Sequence, residues 1–282
     1  MVNNAWSMFG DDDGHAMTFS HLRRLCMRFG PINYMAPDQP SGGHPRALRF
    51  PELRHINIVS DGSSCSFMDN AVFPSTLGSL VITAGAALYQ RLAKAKLQVT
   101  NKLELHLRHD PVGDTGIVAA ANHILEAADG CRDMRLTIAG PARIPLELFT
   151  YTKLTHLELT APTSVDDMMA HIHSQPRLVS LAVNNLVLTN CKTDLSIPSS
   201  TEHELVTPLD TQIGVLSIGG AHSRGWQKKG VSMLKYLLLK MPTLSEVRAQ
   251  RIPSKPIQAF VNKYAQQYPH LTNIRLQLSS SN

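Results

Sequence analysis

Cysteine is scarce in this chain of 282 residues: Cys26, Cys65, Cys131 and Cys191 are all there are, no two closer than 39 positions. No C-x-x-C pair and no tight Cys/His cluster occurs, which argues against a disulfide framework and against a zinc module. Long apolar runs are missing too. The stretch from Leu77 to Leu88 is interrupted by Gly, Ser and Thr and falls well short of the roughly 20 residues a bilayer-spanning helix needs. Met1 to Gly14 is polar and acidic, without the basic start and apolar stretch of a secretory signal. Charged residues make up only 17% of the chain and aromatics 6%. With 43% apolar residues there is still enough material for a sizeable core, so wholesale disorder is excluded. These absences together predict a soluble, reduced, intracellular protein of the cytoplasm or nucleus, with no membrane partner and no bound cofactor.

Acidic residues are also missing from one end. From His222 to Asn282 ten Lys and Arg face a single acid, Glu246, a net of +9, whereas the remainder carries −4 of the overall +5. Such segregation can mark a surface for an acidic partner.

What is present is a pattern. An apolar residue, two others, an apolar residue, one other and an apolar residue recur as Leu22–Leu25–Met27, Leu53–Ile56–Ile58, Leu77–Leu80–Ile82, Leu154–Leu157–Leu159 and Leu178–Leu181–Val183. The series continues with Ile213–Leu216–Ile218, Leu244–Val247–Ala249 and Leu271–Ile274–Leu276, and two copies have a polar first position, Lys102–Leu105–Leu107 and Asp133–Leu136–Ile138. Successive copies are 21 to 35 residues apart, and Pro51, Pro176, Pro242 and Pro269 each stand two positions ahead of a first apolar residue. Each copy suits a short strand whose last two apolar positions share one face. The proline fits where no ladder N–H is needed.

Several intervals between copies have the helical period. Ile117, Val118, Ala121, Ile124, Leu125 and Ala128 form one stripe, which Asp114 can cap; Ser164 and Asp167 resemble a capping box leading into Met168, Met169 and Ile172. Val231, Leu234, Leu237, Leu238 and Met241 form a stripe opposite lysines, Ile257, Phe260, Val261, Tyr264 and Tyr268 another, and Gly85 to Leu97 is a shorter candidate. Strand and helix alternating in this way predict an α/β fold: a right-handed solenoid with a parallel sheet on its concave side and helices on its convex side.

At this point the chain resembles a leucine-rich-repeat protein of the longer, ribonuclease-inhibitor-like kind, and the repeat domains of fungal F-box proteins. The resemblance covers residues 19–278. It implies one domain of about ten irregular repeats, preceded by a flexible N-terminus (1–18), followed by a tail (279–282), and carrying mobile insertions near 31–48 and 189–210. Where the family carries Asn or Cys after the strand, this chain has Gly30, Asp61, Gly85, Pro162, Leu186, Ala221, Ile252 and Ser279, so an irregular arc is expected in place of a uniform horseshoe. No F-box precedes the first copy. The chain is accordingly expected to be either a piece of a longer product or a free-standing repeat domain.

Candidate chemistry is thin. His171 and His173 sit two apart on an expected helix, so their side chains diverge by about 200° and do not make the i, i+4 pair a metal would want. Asp11–Asp12–Asp13–Gly14 lacks the alternating ligands and closing Glu of a calcium loop. Gly219 and Gly220 carry no phosphate-loop signature and read as strand-ending turns. No nucleophile-elbow or zinc-protease motif occurs, and the chain is not expected to be an enzyme.

The positive signal lies in the residues flanking each middle apolar position, which point out of the core. His55, Asn57, Glu104, His106, Arg135, His156, Glu158, Arg248, Asn273 and Arg275 are the candidate partner-binding residues on the concave sheet. A mixed polar row of this kind suits recognition of a protein surface. The expected function is a protein–protein interaction scaffold, and the resemblance implies the substrate-recognition part of an F-box-type ubiquitin ligase adaptor. The protein is expected to be monomeric, with a protein partner that carries an acidic patch. Nucleic acid or another polyanion bound through 222–282 is the alternative. It ranks second because the aromatics of that segment read as core, leaving no stacking platform among its basic residues.

Overall fold

The computed structural model describes residues 17–29, 47–60, 71–95, 97–108, 115–140, 153–188, 195, 207–220 and 226–279. The architecture is α/β, with a large parallel sheet, five α-helices among the described residues and no closed barrel. The chain divides into two compact units, Met1–Leu103 with Ala119–Arg132 and Glu104–Val118 with Asp133–Asn282. Two of the three boundaries fall inside β7 (Gln98–Arg108) and α2 (Thr115–Ala127), and the third lies between Arg132 and Asp133.

In the first unit β2 (Arg24–Phe29), β4 (His55–Ser60) and β6 (Thr76–Ala84) pair in parallel, with Leu25, Ile56 and Leu80 in one register row. A smaller parallel sheet of β1 (Met17–Thr18), β3 (Leu48–Arg49) and β5 (Ala71–Val72) precedes them pairwise in sequence. A phenylalanine follows each short strand, and the three rings stack as a column: Phe19 on Phe50 at 5.1 Å and Phe50 on Phe73 at 5.9 Å. The helix α1 (Ala86–Lys94) buries Leu88, Tyr89 and Leu92, and the Tyr89 hydroxyl donates to the carbonyl of Ile82 at 3.1 Å.

In the second unit β8 (Asp133–Ala139), β9 (His156–Leu159), β11 (Ser180–Val187), β12 (Val215–Gly220), β13 (Glu246–Gln250) and β14 (Arg275–Ser279) are parallel neighbours in that order. A short strand, β10 (Thr163–Ser164), adds to β11. Leu136, Leu157, Leu181, Leu216, Val247 and Leu276 form one inward row across them. The helix α3 (Val165–Ser174) starts at the expected capping box: Ser164 Oγ accepts the Asp167 N–H at 3.1 Å, and the Asp167 carboxylate accepts the Ser164 N–H at 3.3 Å. Farther on, α4 (Trp226–Lys240) and α5 (Ser254–Tyr264) bury Trp226, Leu234, Leu237, Leu238, Ile257 and Phe260. Asp114 and residues 189–194 lie outside the described residues.

The entries to several strands share one scheme. The first apolar residue closes a turn onto the carbonyl three residues back: Leu22 onto Phe19, Leu53 onto Phe50, Leu178 onto Gln175, Leu244 onto Met241 and Leu271 onto Tyr268. Pro51, Pro176, Pro242 and Pro269 occupy the second position of these turns, where a fixed φ and a missing N–H cost nothing. The next carbonyl onward then accepts two N–H groups from the following copy. Arg23 O takes Arg54 and His55, Arg54 O takes Gly78 and Ser79, Thr155 O takes Val179 and Ser180, and Val179 O takes Gly214 and Val215. Gly214 O takes Ser245 and Glu246 in the same way.

The structure departs from expectation in several places. Met17 and Thr18 belong to β1, Leu48 to β3 and Ser279 to β14, so the N-terminal, loop and tail segments each give up residues to strands. Thr207 and Leu209, at the end of the second insertion, are tied to α4: Lys240 Nζ donates to Thr207 O at 2.9 Å and the Leu209 N–H donates to Lys240 O at 2.7 Å. Gly219 lies within β12 and Gly220 is its last residue. A Cβ on Gly219 would meet the Asn184 carbonyl oxygen at 2.5 Å and one on Gly220 the Trp226 ring, so both are sites of close approach.

Two stability predictions follow. Leu157 is 2% exposed and sits in register between Leu136 and Leu181, so Leu157→Ala should cost about 2–5 kcal/mol in a denaturant titration. His171 is 5% exposed on α3, its Nε2 unpaired among the described residues, and burial pushes its imidazole down to about 4, Asp167 opposing in part. Because the folded state holds the proton less tightly than the unfolded chain, whose imidazole titrates near 6.5, this contribution is complete above that value. It should be lost as pH falls from 6.5 to 4, by about 3 kcal/mol at most. His171→Leu should flatten the pH dependence of stability over that window; an unchanged slope would show that His171 is not its source.

Candidate functional site

The polar face of the second unit's sheet consists of two register rows. Arg135, His156, Ser180, Val215, Glu246 and Arg275 form the first, and Thr137, Glu158, Ala182, Ser217, Arg248 and Gln277 the second. Alternation puts both rows opposite the buried leucines. The expected site residues Glu104, His106, Arg135, His156 and Glu158 fall on this face, half-buried, and Arg248 falls on it exposed.

Around β7 to β9 these side chains engage one another. His106 Nε2 lies 2.8 Å from Glu104 Oε1. Asp133, which sequence reasoning placed inside the motif as a failed apolar position, is the centre of a second group. Arg135 Nε donates to both of its oxygens at 3.1 Å and Nη2 lies 3.0 Å from Oδ2, so the guanidinium grips the carboxylate edge-on. Met134, the next residue, is buried on the opposite face of β8, 1% exposed. His156 Nδ1 stands 3.2 Å from Asp133 Oδ1 and 3.0 Å from Thr155 Oγ1. Burial, then the Arg135 charge, hold the His156 imidazole below its ordinary value, with Asp133 and Glu104 pulling the other way. The ring is therefore neutral at pH 7. With Nδ1–H donating to Asp133, Nε2 remains as its acceptor. Thr155 and Asp133 contact the same ring nitrogen, so the pair is not the base–nucleophile relay of a hydrolase, which needs the hydroxyl on the opposite nitrogen.

Further along, Asn184 Nδ2 donates to Glu158 Oε1 at 2.8 Å. At the far end Glu246 Oε1 accepts from Arg248 Nε at 2.9 Å and Gln277 Nε2 at 2.8 Å. The Arg248 hydrogen bond, with the Arg248 and Arg275 charges, holds the Glu246 carboxyl below the usual range. Between these ends stand only Ser180, Ala182, Val215 and Ser217. The face thus runs from an acid-rich end (Glu104, Asp133, Glu158 around Arg135) over a neutral floor of small side chains to a basic end (Arg248, Arg275 around Glu246).

The last copy of the pattern is out of register with expectation. Arg275 pairs with Glu246, and the partner of Arg248 is Gln277, so Arg248 and Arg275 do not occupy equivalent positions. Asn273 is not on the strand at all. A 3-10 helix, Pro269–Asn273, takes up Leu271 and Asn273 before β14 begins, and the inward positions become Leu276 and Leu278. In the first unit His55 is exposed beside Arg24 and Ser79, and Asn57 is half-buried beside Cys26 and Val81, its Oδ1 buried without a partner among the described residues. His171 faces inward, while His173 is exposed with Nδ1 2.7 Å from Met169 O, which keeps the two apart as expected.

The chain matches no family model, no curated protein and no solved structure.

The couplings around His156 make a directional prediction. In a histidine NMR titration, Asp133→Asn should lower the His156 midpoint further, because it removes the group that favours the imidazolium. Arg135→Gln should raise it toward 6.5. Shifts of the opposite sign would dissolve the assigned group.

Proposed function

We propose that the protein is a leucine-rich-repeat solenoid acting as a protein–protein interaction scaffold, with the polar sheet face of the second unit as its recognition surface. The observation that carries this reading is the pair of register rows, which hold a graded set of side chains on a fixed parallel lattice. At about 4.8 Å per strand, the five steps from β8 to β14 span about 24 Å, the length of roughly seven residues of extended chain. The small side chains of β11 and β12 admit a partner's side chains close to the sheet. The charged ends favour a partner segment that is basic over β7–β9 and acidic over β13–β14. Substrate recognition within an F-box-type ubiquitin ligase is the cellular role that the family resemblance supports.

The test is a pull-down from native extract at about 0.15 M salt, where long-range surface attraction is screened. Glu158→Lys/Arg248→Glu should reduce recovery of the wild-type partner at least tenfold, about 1.4 kcal/mol, and Lys228→Glu/Lys229→Glu should leave it unchanged. The reverse result would place recognition on the helices. For the ligase role, a captured partner should accumulate in cells depleted of this protein; a partner whose level does not change would be held and not degraded.

A further inference from the structure

The charge imbalance of the C-terminal segment resolves into two unlike surfaces. Its single acid, Glu246, lies on the strand face, bonded to Arg248 and Gln277. The helices α4 and α5 carry Lys228, Lys229, Lys235, Lys240, Lys255 and Lys263 and no carboxylate. At about 100° per residue, Lys228 and Lys235 share the flank of α4 that borders α5. That neighbourhood is fixed by the Lys235 ammonium, which lies 5.4 Å from the Phe260 ring centroid. Lys255 and Lys263 lie on the solvent side of α5.

Aromatic rings are interleaved with these lysines, contrary to the expectation that the aromatics there are simply core. From Lys235 over Phe260, contacts run on at 4.7 Å to the Tyr264 ring, with the Lys263 ammonium 5.1 Å from the Tyr264 centroid. Tyr264 continues to Tyr268 at 6.4 Å and Tyr268 to His270 at 6.1 Å. Phe260 is buried, but Tyr264, Tyr268 and His270 are half-buried. The run is anchored from below, His270 Nε2 standing 2.9 Å from Leu238 O. Lys235 is half-buried because of this packing, whereas Lys228 and Lys229 are exposed as expected.

We propose that this helical layer binds single-stranded nucleic acid without sequence preference, its lysines on the phosphates and the Tyr264–Tyr268 edge stacking against unpaired bases. Alternating cations and half-exposed rings are what a sequence-tolerant single-strand site requires. Lysine alone, with no arginine on either helix, supplies point charges and not the forked geometry that selects carboxylates. A bilayer fits less well: among the described residues the exposed large apolar side chains are Val72 and Val179, and neither is on this layer. The proposal is independent of the strand-face reading, which concerns the opposite side of the sheet.

The test is fluorescence anisotropy with a labelled, mixed-sequence single-stranded DNA of about 20 nucleotides, long enough for one site. With Lys228, Lys235, Lys255 and Lys263 engaged, log affinity should fall with log salt at a slope of about −3, roughly 50-fold between 0.05 and 0.2 M. Lys235→Gln/Lys263→Gln should halve the slope. Tyr264→Leu/Tyr268→Leu should weaken binding at least fivefold at unchanged slope, and a duplex of the same sequence should bind more weakly than the single strand. Glu158→Lys/Arg248→Glu should leave the affinity unaltered. The Lys235→Gln/Lys263→Gln pair keeps the test decisive should the tyrosine variant fail to fold, which circular dichroism will show. Absence of saturable binding at 0.05 M salt, an unchanged slope in the lysine variant, or equal affinity for duplex would each overturn the proposal. So would capture by phosphatidylserine vesicles without binding to the oligonucleotide, which would make the layer a membrane surface.

Discussion

The rest of the structure depends on one recurring hydrogen-bond arrangement, the carbonyl at the mouth of five strands (Arg23, Arg54, Thr155, Val179 and Gly214) that accepts two N–H groups from the copy that follows. It satisfies backbone groups that would otherwise be buried unpaired where chain turns into sheet. It also fixes where the next strand begins, and therefore which side chains face inward. A one-residue slip at any such entry would carry Leu157 or Leu181 to the polar face and bring His156 or Ser180 into the core. The prolines act one step earlier, by presetting the turn that delivers the chain to that carbonyl. Spacing between copies can then vary from 21 to 35 residues without disturbing the sheet, because variation falls after one strand ends and before the next turn closes.

This division of labour explains what the sequence discloses. The alternating apolar pair reports the inward face directly, since its burial is what the pattern encodes, and the α3 capping box is legible because Ser164 and Asp167 bond within one turn. The frame of the last copy is not legible, for a specific reason. Leu271–Ile274–Leu276 and the true inward pair Leu276–Leu278 differ by two residues, and a shift of two leaves every side chain on the same face. Hydrophobic alternation is blind to it. Only the ladder with β13 decides, and it decides against Arg275 as the counterpart of Arg248. The column of Phe19, Phe50 and Phe73 escaped for another reason: its rings precede the motif by three or four positions and contact each other across long sequence gaps. The signal was nevertheless present, as a phenylalanine before each of the first three copies.

Counting charges located the basic end but could not divide it. The strands alternate their faces every second residue and the helices every third or fourth, so neighbouring basic residues in sequence separate onto opposite sides of the sheet. Arg248 lands beside Glu246, and Lys235 lands beside Phe260. The same geometry makes Asp133 a polar-face residue. It stands at the polar first position of its motif copy, and its carboxylate holds Arg135 and His156 while the adjacent Met134 is buried.

The two surfaces of the second unit therefore differ in how their charges are compensated, and that difference sets what each can do. On the strand face the carboxylates of Asp133, Glu158 and Glu246 already hold hydrogen bonds from Arg135, Asn184, Arg248 and Gln277. A ligand there must exchange existing bonds for new ones of matching geometry, so the net gain from any single contact is small and discrimination between ligands is large. On the helices Lys235, Lys240 and Lys263 lie over rings, and neither helix carries a carboxylate. Their field extends outward, within a Debye length of about 8–10 Å at moderate salt, and attracts any polyanion with little regard to its detailed shape. Compensated charge favours selection and uncompensated charge favours capture. The fold keeps the two apart by a structural necessity: every residue that bears one faces away from the leucine row on the strands, and every residue that bears the other faces away from the same core on the helices.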